Sequence, residues 1–242
     1  MKHFAALVFT LLLTGTLFAQ EGLHIGFYGG PQLTRIRGQE SFVQNRTALQ
    51  STGIWSFNGM AKIGYNIGPP FGFHLGVIYS INGQDQSAVD TAQGRRITTE
   101  QRLNYIKIPL YLHFNSDPAP AMFTFEVGPQ LNLLQSATIT DDGAPLVAPE
   151  GNEQFYTATD LAFAWSLGAE FAVTEWLHFA ITHRGDYTII DMENKDAVVN
   201  GLPYYENTRD PARNLTINFQ AGLIFCISPG GGGGKNTKFW IR

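Results

Sequence analysis

Ionisable side chains are sparse in this sequence, so the few that interrupt its apolar and small-residue stretches decide which chemistry it could carry. Seven of them share the polar phase of segments that alternate between apolar and polar residues: His74, Lys107, Glu126, Glu170, His178, Arg184 and Asp186. In an enclosed space such groups can relay protons or gate ions. They can also pair with one another and fill that space. We expect a polar, ion-paired network, because a small barrel has room for little besides side chains.

One constellation suggests catalysis, with His183 as a base and Asp186 as an acid that orients it, beside Arg184. However, no serine or second histidine is spaced to complete such a site, and His183 falls on the apolar phase. The pattern therefore predicts a hydrogen-bonded cluster at a strand end. We expect no catalytic residue, no cofactor and no metal ligand, and a protein that is not an enzyme.

A run of five glycines, 230–234, precedes Lys235 and superficially suggests a phosphate-binding loop. Pro229 stands where the first glycine of that motif belongs, and Asn236 stands where a serine or threonine is required. We interpret 229–242 as a flexible glycine-rich tail on the periplasmic side. A docking peptide formed by 239–241 is the alternative.

Acidic residues gather in two stretches between the alternating segments. They are Asp141, Asp142, Glu150 and Glu153 in the first stretch, and Asp191, Glu193 and Asp196 in the second. Such acids can bind divalent cations among anionic glycolipids or present a surface to a partner. Their spacing does not match a calcium-binding loop, so solvated surface charge is the simpler expectation.

The elements that position these groups are clearest in the stretch 103–134. Ile106, Ile108 and Leu110 alternate with Tyr105 and Lys107, and the same two-residue period resumes after a turn-rich connection at 115–120. This pattern predicts an antiparallel hairpin with one apolar face and one polar, small-residue face. Because the polar face carries only one charge per strand, it suits a barrel interior better than bulk water.

Six further segments alternate in the same way, at 23–37, 54–67, 71–82, 159–173, 176–190 and 214–227. Long connections (38–53, 83–96, 135–158, 191–213) alternate with short ones (68–70, 116–121, 174–175). The strands number eight, which is even, and their connections alternate between long and short. Together these features predict an all-β fold, an eight-stranded antiparallel up-and-down transmembrane β-barrel. If the polar face were turned outward instead, Lys107 and Arg184 would face lipid. Each would then destabilise the barrel by about 2–4 kcal/mol.

Composition and the two chain ends agree with this fold. Within 242 residues, Gly is abundant at 26 and aromatic residues reach 13%, while charged residues make up only 15%. Residues 1–19 have the basic start and apolar run of a signal peptide, which leaves 20–228 as one barrel domain. The single Cys226 excludes an internal disulfide. The formal net charge of -4 argues against nucleic acid as a partner.

Several segments resemble the PorT-like outer-membrane β-barrel family, which groups with small barrels of the OmpX and OmpA type. The resemblance covers about 23–227, and it rests on 29–32, 104–110, 126–130 and 160–170. It implies an outer-membrane barrel. PorT itself is tied to protein secretion and gliding, and most relatives have no assigned activity.

We therefore expect a multi-pass protein of the Gram-negative outer membrane with both termini in the periplasm. Its interior would be filled with side chains, and its role would be structural, adhesive or interactive through the acidic loops. The expected partners are outer-membrane lipid and lipopolysaccharide, together with a protein at the extracellular loops. Two alternatives stay open. One is a small-solute channel, and the other is a secreted lipocalin-like carrier, suggested by Gly53-Ile54-Trp55.

Overall fold

The structure is a computed structural model, and it describes residues 22–38, 46–68, 70–90, 94–116, 121–141, 144–145, 155–174, 176–194, 196–199, 202–203 and 211–227. The predicted signal peptide and glycine-rich tail lie outside the described residues, as do Asp142, Glu150 and Glu153. Among the described residues, no helix is long and apolar enough to cross a membrane.

Eight long strands form the fold: β1 (Gly22–Arg37), β2 (Arg46–Gly68), β3 (Phe71–Asp90), β4 (Arg95–Asn115), β5 (Met122–Asp141), β6 (Thr159–Ala172), β7 (Leu177–Thr188) and β8 (Arg213–Ile227). Each strand pairs antiparallel with the next in sequence, and β8 pairs with β1 to close the ring. Short strands Ala144–Pro145, Val198–Val199 and Leu202–Pro203 are accessory. The predicted eight-stranded antiparallel barrel is confirmed.

The strands around the β3–β4 hairpin are longer than the alternating apolar pattern indicates. β2 begins at Arg46, β3 ends at Asp90 and β4 begins at Arg95. The long loop expected at 83–96 is therefore wrong, because only residues 91–94 separate β3 from β4. Backbone hydrogen bonds continue the ladder through polar residues, from Asn82 paired with Leu103 up to Asp90 paired with Arg95.

Side-chain burial follows a largely alternating pattern along the barrel strands, wherever the structure describes the side chains. Phe73, Leu75 and Val77 of β3 are 51%, 47% and 51% exposed, whereas the intervening His74 is 1% exposed. The apolar rows therefore form the outer surface and the polar phase fills the lumen. A lipocalin-like carrier needs the opposite orientation, with apolar rows around a cavity, so the structure argues against that alternative.

The two ends of the barrel differ in their connections. We call the end with the connections β2–β3, β4–β5 and β6–β7 the turn rim, and the opposite end the loop rim. At the turn rim, aromatic side chains that are exposed or half-buried contact one another, with 5.1 Å between the ring centroids of Phe71 and Phe114 and 6.1 Å between those of Trp176 and Phe225. Trp55, which is 71% exposed, lies toward the loop rim. This placement is typical of the aromatic girdles of membrane barrels.

Candidate functional site: a charged and closed lumen

All seven residues of the expected polar network have buried side chains. Their exposed fractions run from 0% to 8% for His74, Lys107, Glu126, Glu170, His178, Arg184 and Asp186. The pleat of β3 to β7 turns each of them inward, because each lies on the polar phase of its strand. The structure distributes them over three separate groups instead of one continuous network.

The first group, the ion triad, consists of Lys107, Arg184 and Asp186. Lys107 Nζ lies 3.0 Å from Asp186 Oδ2, and Arg184 Nη1 donates to Asp186 Oδ1 at 2.8 Å. Neighbours accept further hydrogen bonds: Lys107 donates to Thr216 Oγ1 at 3.1 Å, and Arg184 donates to Tyr111 and Gln130. Because Lys107 is on β4 and Asp186 on β7, the triad links walls that are not adjacent in the ring.

The second group, the histidine cluster, consists of His24, Lys62, His74, His113 and Glu126 and lies toward the turn rim. Glu126 Oε1 accepts from Lys62 Nζ at 2.6 Å, from His113 Nδ1 at 3.2 Å and from His74 Nδ1. The Nε2 atoms of His24 and His74 are 2.9 Å apart. One carboxylate oxygen thus collects donors from β2, β3 and β4.

Sequence reasoning included only His74 and Glu126 of this cluster. Lys62 was missed because the alternation in β2 is the least regular of the eight segments. The polar phase does contain His24 and His113, but only the register, which places His113 opposite Glu126, shows that they meet.

The third group pairs Glu170 with His178 near the turn rim. His178 Nδ1 is 3.9 Å from Glu170 Oε2, and Cys226 Sγ is 3.9 Å from His178 Nε2. These contacts are longer than those of the other two groups, and Cys226 is half-buried. The arrangement is a weak polar cluster at the end of the lumen.

The catalytic constellation considered for β7 is divided by the barrel wall. His183 packs its ring against the exposed Phe219 at a centroid distance of 4.9 Å, on the outer face. Arg184 and Asp186 point into the lumen and belong to the ion triad. No base and orienting acid come together at these three positions.

An apolar cluster crosses the loop end of the lumen, and the alternating pattern did not predict it. We call it the cap: it contains Ile36, Leu103, Tyr105, Ala137, Ile139, Phe155, Tyr156, Met192, Ala197 and Ala212. Because β1 and β5 stand opposite each other in the ring, a cluster that includes both Ile36 and Ile139 spans the mouth. Phe155 and Met192, both 0% exposed, come from the segments that follow β5 and β7.

The expected surface-loop acids have varied positions. Asp141 is the last residue of β5 and so lies in a strand. Asp191 Oδ1 accepts from the backbone N–H groups of Glu193 and Ala212 at 3.2 and 3.0 Å, and Glu193 is 2% exposed and bridges to Tyr156. Describing Asp191 and Glu193 as solvated surface charge is therefore wrong, since both help to hold the cap segments. Asp196 is exposed.

A closed ring of strands with an apolar exterior and a charged interior defines a membrane-spanning β-barrel, since no backbone edge is left unpaired in lipid. The chain belongs to the outer membrane protein beta-barrel domain family, whose sequence profile matches residues 5–225. This membership assigns the protein to the bacterial outer membrane.

Solved structures with a similar fold include Neisserial surface protein A, at 15% identity and a TM-score of 0.46, covering 85% of this chain and 97% of that one. OprG from Pseudomonas aeruginosa is 8% identical with a TM-score of 0.40, and the match covers 86% of this chain and 97% of OprG. Ail, the attachment invasion locus protein of Yersinia pestis, is 11% identical with a TM-score of 0.39, and the match covers 85% of this chain and 100% of Ail. No curated protein matches the chain.

Proposed function

We propose that this barrel does not conduct solutes and acts as a surface interaction protein, binding a protein partner at its loop rim. In this proposal the loop rim is extracellular, both ends of the chain are periplasmic, and lipid and lipopolysaccharide surround the apolar rows. The PorT-like motifs favour that subgroup of the family. No enzymatic step and no nucleic acid are involved.

The observation that carries the proposal is a four-stranded sheet that rises past the rest of the wall. Pairing of β1 with β2 stops at Thr34 and Ile54, and pairing of β5 with β6 stops at Leu133 and Thr159. Pairing of β3 with β4 continues to Asp90 and Arg95. We call residues 46–53, 82–90, 95–103 and 134–141 the projecting sheet.

One edge of the projecting sheet is available to a partner. In the described part of the chain, residues 46–53 of β2 pair with β3 alone. An edge strand presents a row of backbone donors and acceptors that an extended segment of another protein can complete. On the exposed face, Arg102 pairs with Asp85 at 2.7 Å and with Glu100 at 3.4 Å, which keeps the sheet polar. Asp141 ends the fourth strand of this sheet, and we include the exposed Asp196 in the same interaction surface.

The lumen supports the non-conducting half of the proposal. The ion triad joins opposite parts of the wall, and the cap covers the mouth with fully buried apolar side chains. An eight-stranded barrel is only just wide enough to be filled in this way, so both layers stand in the path of a solute. This filling weighs against the small-solute channel.

A crosslinking experiment tests the interaction. A photo-reactive residue at Thr98, exposed on the projecting sheet, should capture a discrete protein adduct on intact cells, whereas the same residue at Val77 on the apolar face should not. A second variant replaces residues 86–99 with Asn-Gly, so that the shortened β3–β4 hairpin turns directly after the pair Asp85 and Glu100. This variant should still insert into the membrane but should no longer bind the partner. A barrel in which Thr98 captures only lipopolysaccharide, or nothing, would contradict the proposed partner.

Planar-bilayer recording tests closure. Purified tag-free protein should give no ordered current steps. Reproducible steps in the wild type would overturn the non-conducting assignment and restore the channel.

A further inference from the structure

The histidine cluster contains more side-chain atoms able to bind a metal ion than the pairing of Lys62 with Glu126 requires. The side-chain ligand atoms of His74, His113 and Glu126 all lie within 4.8 Å of one another, and the three residues are buried. Two imidazole nitrogens and a carboxylate oxygen form a known ligand set for zinc and related divalent ions, with one coordination position left open.

The spacing is close to that of a metal site. Ligand bonds of about 2.0–2.1 Å place the donor atoms of a tetrahedral site about 3.3 Å apart. His113 Nδ1 is already 3.2 Å from Glu126 Oε1, and His74 Nδ1 is closer. The rings of His74 and His113 are stacked with centroids 3.9 Å apart and 25° between their planes, and both turn their Nδ1 atoms toward Glu126 Oε1.

His24 supplies the outer hydrogen-bond partner that metal-bound histidines usually have. The network assigns the proton of His74 to Nδ1, since that atom faces the Glu126 carboxylate, and His24 then donates to His74 Nε2 at 2.9 Å. If His74 Nδ1 binds an ion, the proton moves to Nε2 and the same hydrogen bond reverses direction. A hydrogen bond on the second nitrogen fixes the orientation of a ligand ring.

The space for this contact comes from Gly64. A Cβ atom there would lie 2.2 Å from His24 Nε2 and 2.4 Å from His74 Cδ2. The two rings therefore occupy the volume that any other residue would need.

We propose that His74, His113 and Glu126 form a binding site for a borderline divalent transition-metal ion such as Zn²⁺, with His24 orienting His74. In the ion-free state Lys62 provides the positive charge beside Glu126. Lys62 Nζ also lies over the Tyr28 ring, 4.8 Å from its centroid, and it keeps this contact when the ion displaces it from the carboxylate.

The residual exposure near the site lies on the side of the turn rim. His24, Asn66 and Asn115 keep exposed fractions of 7–8%, whereas Lys107 and Asp186 in the ion triad are 0% exposed. The ion therefore enters at the end of the barrel opposite the cap.

Calorimetric titration of ZnCl2 into tag-free, chelator-treated protein in detergent tests the site. The wild type should bind one ion per chain. The double variant His74→Gln/His113→Gln should bind it more weakly by over about 100-fold, since outer partners alone contribute about 10- to 100-fold. His24→Phe removes such a partner and should weaken binding by about 10- to 100-fold. His178→Gln, which removes a buried histidine outside the cluster, should leave affinity unchanged.

Lys62→Met provides a second test that does not depend on the double variant folding. Binding should tighten by at least about tenfold, because a buried ammonium repels a divalent ion. Folding is monitored by heat-dependent migration on an SDS gel, and Co²⁺ should give the visible absorption of a low-symmetry site in the wild type and in Lys62→Met. Absence of one-to-one binding in the wild type, or equal affinity in the wild type and a folded double variant, would overturn the proposal.

Discussion

At the scale of single residues, the two main charged groups of the lumen differ in the ratio of cations to carboxylates. In the ion triad, one carboxylate, Asp186, serves two cations, Lys107 and Arg184. In the histidine cluster, one cation, Lys62, serves one carboxylate, Glu126, and the histidines complete its hydrogen bonds. Removing the shared acid of the triad should therefore be more damaging than removing either of its bases.

Asp186→Asn should destabilise the barrel by about 3–5 kcal/mol, because it leaves Lys107 and Arg184 buried without a counter-charge. Lys107→Met should cost clearly less, since Asp186 keeps its bond to Arg184. Urea unfolding in lipid vesicles, followed by tryptophan fluorescence, measures both. Equal losses for the two variants would show that Arg184 does not compensate for Lys107.

Two glycines of β2 provide a matched pair for testing how tightly the histidine cluster is packed. Gly64→Ala should destabilise the barrel by about 1–3 kcal/mol, the usual cost of overpacking, because its Cβ would overlap the rings of His24 and His74. Gly59→Ala meets nothing within 4 Å and should be close to neutral. The comparison uses the same unfolding measurement, and a neutral Gly64→Ala would mean that the rings can move aside.

At the scale of elements, the cap depends on backbone contacts between two connecting segments. Thr157 N–H donates to Met192 O at 2.8 Å, Asn194 N–H to Phe155 O at 3.0 Å, and Met192 N–H to Ala212 O at 2.9 Å. These bonds fix the segments to each other, and the buried Phe155 and Met192 fix them to the barrel.

Phe155→Ala should loosen the cap without unfolding the strands. Hydrogen exchange should accelerate at the amides of Thr157, Met192 and Asn194, while amides in the turn-rim half of β3 and β4 keep their protection. Phe57→Ala, which truncates a phenylalanine that is 70% exposed on the outer wall, is the control and should leave those three amides unchanged. Uniform acceleration throughout the barrel would mean that the cap is not a separate unit.

At the scale of the whole molecule, the barrel reverses the usual arrangement of a soluble protein. Outside the cap, most apolar side chains of its wall face outward, and its buried polar side chains include Lys107 and Arg184. This arrangement is stable only where hydrocarbon surrounds the wall, because water would otherwise contact a wide band of Phe, Leu, Ile and Val.

A charged side chain on the outer wall should therefore destabilise the barrel, and the loss of stability should grow with the depth of that side chain in the membrane. Val77→Arg, near the middle of the lipid-facing part of β3 (71–81), should reduce stability in vesicles by about 2–4 kcal/mol, and Trp55→Arg, nearer the loop rim, by about 0–1 kcal/mol. Folding titrations in vesicles measure the difference. If the two costs were the same, the lipid-facing band would not be centred on Val77.

Much of this architecture follows from local pattern. The two-residue period assigned Lys107 and Glu126 to one face and Ile106 and Phe125 to the other, and the structure places them so, because pleating fixes the alternation within each strand. The same local property identified eight strands. It failed at the ends of β2, β3 and β4, where the ladder continues through residues with no apolar alternation.

The sequence by itself thus determined the strand number, the ring topology and, outside β2 and the extended ends of β3 and β4, the set of side chains that face each way. Only the tertiary structure decided which of them touch: that His113 and Lys62 meet Glu126, that Lys107 reaches Asp186 across the lumen, and that Phe155 and Met192 cover the mouth. The reason is physical. Facing is set by the geometry of one strand, whereas contact across the lumen depends on how eight strands are staggered when the ring closes.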